Sequence, residues 1–242
     1  FDAAAESDYV DHLRSTFPAH LDLSGMRIVA DCANGAASRI GPRLLESLGA
    51  EVAAIGVSPN GRNVNRGCGA LHTESMRREV VRRGFDCGVS FDGDADRAMF
   101  ADSRGRLCDG DVLIALAASH LREEGLLRGG RVVVTVMSNY ALVSFLESLG
   151  IGVVTVPVGD RNVTEAIERE GLALGGEASG HIVFRQFCPT GDGLLTALQV
   201  LAVLAQTRRP LSWFRGRYRP YPQILRNVRA QSRIPLERLP RT

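Results

Sequence analysis

Apolar and polar positions fall into two alternating periods along the chain. Tyr9, Val10, Leu13 and Phe17 recur at helical spacing, which predicts an amphipathic helix over residues 2–17 that ends before Pro18. A β-rich run at 27–31 leads into the turn Asn34-Gly35-Ala36-Ala37, then a helix to Leu48 with Gly49 as its stop. Residues 51–57 predict a strand, and 58–69 a loop rich in Gly and Asn. A helix follows from about 73 to 83, with Glu74 in its first turn and Arg toward its end, as the helix dipole prefers. The apolar run 86–90 reads as a buried strand and 98–101 as a second one.

The same alternation starts again near Asp109. Helices are predicted at 112–124, from Ser138-Asn139 to Leu149, and at 163–170, with strands at 131–137 and 153–158. A strand beginning at Leu172-Ala173-Leu174 runs into Gly175-Gly176-Glu177-Ala178-Ser179-Gly180-His181, and 182–184 continue extended. Thr190-Gly191-Asp192-Gly193 caps a long apolar helix over 194–206. A short helical piece around 213–218 and a lone strand at 223–229 complete the pattern. Strands alternating with helices predict an α/β fold: two tandem α/β lobes, each a mixed or parallel sheet covered by helices. The boundary falls near Cys108.

One stretch carries the chemistry. Between the strands at 86–90 and 98–101 lies Phe91-Asp92-Gly93-Asp94-Ala95-Asp96-Arg97. The alternate spacing of Asp92, Asp94 and Asp96 can aim three carboxylates at one point, which is unfavourable unless a cation sits among them. Hard oxygen ligands select Mg²⁺, Ca²⁺ or Mn²⁺, and few ligands on a short turn suit Mg²⁺ best. A plain surface turn is the competing reading. An EF-hand loop is excluded, because its Gly and Glu positions hold Arg97 and Ser103. The Gly159-Asp160-Arg161 turn and the Glu177 loop also follow strands, so all three can line one cleft at the strand ends. Asp109, Asp111 and Asp192 read as helix caps.

Composition narrows the field. The 242 residues hold 45% hydrophobic side chains and a net charge of +2, which supports a globular core and argues against nucleic acid as a partner. Five cysteines with no C-x-x-C pair point to a reducing cytoplasm and away from disulfides or zinc. The longest apolar stretch, 194–205, is too short to span a membrane, so no membrane partner is expected. The sequence sets no oligomeric state.

Taken together, Asp92-Gly93-Asp94-Ala95-Asp96-Arg97, Gly176-Glu177-Ala178-Ser179-Gly180-His181 and Thr190-Gly191-Asp192-Gly193 resemble, in order, three motifs of the α-D-phosphohexomutase family. Val158-Gly159-Asp160-Arg161, Asp31-Cys32-Ala33-Asn34-Gly35-Ala36 and Met137-Ser138-Asn139 are similar to a bacterial branch that interconverts glucosamine 6-phosphate and glucosamine 1-phosphate. The resemblance implies Mg²⁺ on Asp92, Asp94 and Asp96, with Arg97 supporting phosphoryl transfer. It implies sugar recognition by Gly159, Asp160, Arg161, Glu177, Ser179 and His181, and a hexosamine or hexose phosphate as the small-molecule partner. It further implies that residues 1–108 match the family's second domain, 109–220 its third, and 221–242 the start of a fourth. The family's catalytic serine lies in a Ser-His-Asn-Pro-type motif of the first domain; these 242 residues contain none, so the expectation is a fragment inactive by itself. Inside the matched part, Asn162, Ala178 and Leu71 depart from the branch's usual aromatic, amide and Thr. A phosphomannomutase/phosphoglucomutase relative is the enzymatic alternative, and a non-catalytic Mg²⁺- or sugar-phosphate-binding module the other.

Overall fold

The computed structural model describes residues 3–224 and residue 226. The first lobe comprises α1 (Ala3–Ser15), β1 (Arg27–Asp31), α2 (Ala37–Ser47), β2 (Glu51–Ile55), α3 (Glu74–Arg83), β3 (Cys87–Phe91), β4 (Ala98–Asp102) and β5 (Leu107–Cys108). The second comprises α4 (Gly110–Glu123), β6 (Arg131–Thr135), α5 (Tyr140–Ser148), β7 (Gly152–Val156), α6 (Asp160–Glu170), β8 (Leu174–Gly176), β9 (Ile182–Phe184), α7 (Gly193–Thr207) and α8 (Leu211–Arg217). A single 3-10 turn at Arg128–Gly130 leads into β6.

The two sheets have one design. The first runs β2-β1-β3-β4-β5 and the second β7-β6-β8-β9. In each, the first three strands are parallel and the fourth antiparallel. The parallel strands need helical crossovers, and those helices bury the faces, as all-buried strands such as Cys87–Phe91 require. Gly84 and Gly171 end α3 and α6 in the left-handed conformation, where a side chain would be strained.

The lobes share a core. Helix α7 packs on β3 and β4 of the first sheet and on β9 of the second, while α4 packs on β5, β8, α5 and α7. Both helices are therefore buried nearly all round. Leu198 and Leu201 are fully buried, and each such side chain contributes roughly 1.5–3 kcal/mol. The apolar run at 194–205 is explained by this double burial. Among the described residues no helix is long and apolar enough to cross a membrane.

Several boundaries shift from the sequence reading. Helix α4 begins at Gly110, so Asp111 lies inside its first turn; α6 begins at Asp160. Strand β6 stops at Thr135: Val136 N–H makes one last bond to the Val156 carbonyl of β7 at 2.9 Å, and Ser138 N–H then turns back to the Thr135 carbonyl at 3.0 Å. The two-residue strand β5 was too short to carry a period. Of the strand expected at 223–229, Leu225 and residues from Asn227 onward lie outside the described residues, and Gln223, Ile224 and Arg226 have no regular structure.

Candidate active site

Strand β3 delivers the acidic turn to the sheet's C-terminal edge. Asp92 is buried, Asp94 exposed and Asp96 between the two. One carboxylate oxygen from each lies within 4.8 Å of the others. Ala95 adopts φ 64°, the left-handed bend that lets the turn close. Burial, and then the charges of Asp96 and Asp94, push the Asp92 carboxyl up to about 6, against the pull of the Arg97 N–H it accepts. Arg97 compensates only partly: its Nε stands 3.6 Å from both Asp92 Oδ2 and Asp96 Oδ1. Arg97 Nε and Asp96 Oδ1 are both buried and have no hydrogen-bond partner among the described residues. A buried carboxylate oxygen without a donor, among two more carboxylates, fits a hard divalent cation. The three Asp residues would hold it.

A second hairpin stands against the first. It runs from β8 through Glu177-Ala178-Ser179-Gly180-His181 into β9. Glu177 is buried; its Oε1 accepts from Gly159 N–H at 3.0 Å and its Oε2 from the Ser179 hydroxyl at 3.3 Å. The Glu177 carboxylate thus ties the Gly159 loop to its own hairpin. His181 is buried, with Nδ1 at 3.0 Å from Asp96 Oδ2. Residues Arg97 and His181 form an isolated antiparallel bridge between the lobes, and Ala98 N–H donates to the Gly180 carbonyl at 3.1 Å.

Asp160 and Arg161 open α6 at the rim and are exposed. Asp160 accepts from Arg161 N–H at 2.7 Å, but the guanidinium pairs with Glu165 at 2.6 Å rather than with Asp160. A carboxylate oxygen of Asp160 also lies within 4.8 Å of ligand atoms on Asp96 and His181. The structure therefore brings Asp92, Asp94, Asp96, Arg97, Asp160, Glu177, Ser179 and His181 into one region at the junction of the lobes, with Arg161 at its outer edge.

The region is held by backbone. Ala36 N–H donates to the Gly93 carbonyl and Gly193 N–H to the Ala95 carbonyl, both at 2.8 Å. Asp31 is fully buried and accepts from Ala33 N–H and Gly69 N–H, pinning the long loop after β2; burial raises its carboxyl above the usual range in spite of these donors. Asp109 and Asp192 cap α4 and α7 as expected, accepting from Val112 N–H and Leu195 N–H. Asp111 does not cap: it is buried inside α4 and accepts from Asn139 N–H at 2.7 Å, so it joins α4 to the start of α5. Asn139 is itself the α5 cap, and its amide also brackets the backbone of Tyr221.

Sequence reasoning missed three parts of this arrangement. One is the approach of Asp160 to Asp96 and His181, which no local spacing encodes. Another is the Arg97–His181 bridge, a contact between lobes. The last is a pair of glycines behind the site: a Cβ on Gly110 would overlap the Glu177 carbonyl, and one on Gly35 the Gly93 carbonyl. Their presence in the D-G-D and A-N-G-A runs was the available signal.

Comparison with known proteins agrees with this two-lobe fold. The family model "Phosphoglucomutase/phosphomannomutase, alpha/beta/alpha domain II" matches residues 7–105, and that for domain III matches 109–221. The phosphoglucosamine mutase of Rhodospirillum rubrum is 50% identical over 227 residues, covering 94% of this chain and 50% of that protein. The phosphoglucosamine mutase of Caulobacter vibrioides is 46% identical over 233 residues, 96% of this chain and 52% of its own. The chain thus spans about half the length of the curated relatives it matches. Two solved structures share the fold. One is a phosphoglucomutase/phosphomannomutase family protein of Burkholderia thailandensis, with TM-score 0.74 and 23% identity, over 87% of this chain and 46% of that one. The other is Aspergillus fumigatus N-acetylphosphoglucosamine mutase in complex with GlcNAc-6P and magnesium, with TM-score 0.73 and 22% identity, over 90% of this chain and 50% of that one. With both domain models matched in order and the acidic turn standing against the Glu177 hairpin, this chain belongs to the phosphoglucomutase/phosphomannomutase family.

Proposed function

We propose that this chain forms the metal-binding and sugar-reading half of a phosphoglucosamine mutase, an enzyme that interconverts glucosamine 6-phosphate and glucosamine 1-phosphate by phosphoryl transfer. The observation that supports it most is the junction of the two hairpins, which sets three clustered carboxylates beside a polar loop of Glu177 and Ser179. Identity of 46–50% with phosphoglucosamine mutases adds to it.

Mg²⁺, held by Asp92, Asp94 and Asp96, would supply charge neutralisation for the phosphoryl group. Arg97 presents a planar fork of donors at the same place, suited to phosphoryl oxygens. Glu177, already committed to Gly159 N–H and Ser179, retains lone pairs that a sugar hydroxyl can use, and Ser179 can donate or accept. Asp160 and Arg161 face solvent at the rim, open to the amino group and the phosphate of a hexosamine phosphate. Residues 1–108 and 109–220 act as the metal and sugar lobes of this site. The 242 residues contain no Ser-His-Asn-Pro run to carry the phosphoryl group, so the isolated chain binds without turning over.

The test has two arms. A coupled assay of the isolated chain should show no conversion of glucosamine 6-phosphate, and turnover there would sink the idea that the nucleophile lies elsewhere. The native protein from its source cells should prefer glucosamine phosphates in kcat/KM. A preference for mannose or glucose phosphates would move it to the other enzymatic branch, and Mg²⁺ binding with no turnover of any of the three would make it a binding module.

A further inference from the structure

We propose that His181 is a positioning residue of the metal turn, fixing the Asp96 carboxylate from behind through Nδ1, and that Gly191 provides the slot that holds its ring. This rests on the metal reading of the acidic turn given above. His181 is only 2% exposed, so its ring is closed to a sugar in the cleft. Its Nδ1 lies 3.0 Å from Asp96 Oδ2. An ionised carboxylate can only accept, so Nδ1 carries the proton of that bond. The opposite nitrogen, Nε2, is buried and has no hydrogen-bond partner among the described residues. A ring protonated there instead would bury an N–H with no acceptor and leave two lone pairs facing each other across Nδ1 and Asp96, the costlier arrangement.

The ring is held on both sides. The bridge between Arg97 and His181 and the Glu177 N–H bond to the His181 carbonyl at 2.9 Å fix its backbone. A Cβ on Gly191 would overlap the imidazole at Nε2, so glycine is what lets the chain pass over the ring. The contact divides the labour of Asp96: Oδ2 receives the imidazole, and Oδ1, which accepts no hydrogen bond, is left for a cation. Histidine–carboxylate pairs around metal sites orient the ligand in this way. Asp96, His181 and Gly191 come from the three separate sequence motifs, and one stack of contacts joins them.

The test is Mn²⁺ binding by the 242-residue chain, followed by the electron paramagnetic resonance of free Mn²⁺, with circular dichroism and melting as fold controls. His181→Phe keeps a ring but removes the donor, and should weaken Mn²⁺ binding by about 10- to 100-fold, the usual loss for such a partner. His181→Asn places an amide nitrogen where Nδ1 was and should recover most of the loss; His181→Gln, which reaches the Nε2 position, should not. Gly191→Ala should behave like His181→Phe. Should His181→Phe fail to fold, the Asn–Gln contrast carries the test. Wild-type affinity in all the folded variants, or equal affinity in Asn and Gln, overturns the role. If the wild-type chain takes up no Mn²⁺, or Asp96→Ala takes up as much, the metal reading fails and this role with it. Independently of metal, long-range ¹⁵N–¹H correlation should show the Nδ1–H tautomer, and the Nε2–H tautomer would refute the proposal.

Discussion

The turn between β3 and β4 and the turn between β8 and β9 occupy the same place in two sheets of the same order, yet they solve opposite problems. In each sheet the third strand ends at the cleft and reverses into an antiparallel fourth. In the first lobe that reversal gathers three carboxylates with one partial counter-ion at 3.6 Å, and Asp92 rises to about 6. In the second, the one carboxylate, Glu177, has a donor on each oxygen. Topology supplies the position; the side chains decide whether the position is left electrostatically short, awaiting a cation, or closed upon itself as a polar rim. The first turn carries the electrostatic cost that the proposed cation would relieve, a trade functional sites commonly make.

The comparison is most sharply broken by removing the ligands. Asp94→Ala or Asp96→Ala should lower Mn²⁺ affinity by more than about 100-fold, beyond the range of an outer partner. Glu177→Gln should leave Mn²⁺ affinity unchanged and weaken glucosamine 6-phosphate binding instead. Calorimetric titration of the three variants with each ligand checks this, and a common loss of both ligands would show that the turns do not divide the work.

Next in size is the packing of the start of α4 against the Glu177 hairpin. A Cβ on Gly110 meets the Glu177 carbonyl, whereas one on Gly216 of α8 meets nothing. Gly110→Ala should therefore cost about 3 kcal/mol, the upper end of overpacking. Gly216→Ala should be neutral or stabilise by about 0.5–1 kcal/mol through helix propensity. Urea melts of both variants distinguish a rigid contact from a yielding one.

Asp111 tests burial without a cation. Burial pushes its carboxyl up to about 6 although Asn139 N–H opposes this. Because the folded value lies above the unfolded one, the protonated form favours folding. That stability is fully present below about pH 4 and is lost as pH rises through about 6, on the order of 2–3 kcal/mol in all. Asp111→Asn should flatten this part of the stability–pH curve while keeping an acceptor for Asn139. Asp111→Ala should flatten it and also lose about 1–3 kcal/mol, by leaving that N–H without a partner.

The smallest effect is expected at the rim. Arg161 is exposed, and its guanidinium pairs with Glu165 one turn away. Arg161→Ala should leave the melting temperature unchanged and show only in weaker glucosamine 6-phosphate binding.

Much of this was legible along the chain. The strand-turn-strand reading around Asp92, Asp94 and Asp96 was available because a period of two is local, and so is the mutual repulsion that calls for a cation. The caps at Asp109 and Asp192 were readable for the same reason: a cap bonds three residues on. Asp111 was misjudged because its partner, Asn139, is remote in sequence, and a carboxylate beside a cap looks like another cap. The end of β6 at Thr135 was missed because Val136 and Met137 are as apolar as the strand before them, though both are substantially exposed.

By itself, then, the sequence determined the alternation of strands and helices, the two-lobe α/β class, and the residue types of the acidic turn, since periodicity, capping and charge density act within a few residues. Only the tertiary structure decided that α4 and α7 are shared between the sheets, that Asp160 and His181 come up to Asp96, and that Glu177 closes on Gly159. The first two are contacts between lobes, set by how two similar sheets pack around common helices, and the third joins two loops of the second lobe; no spacing along the chain measures those distances.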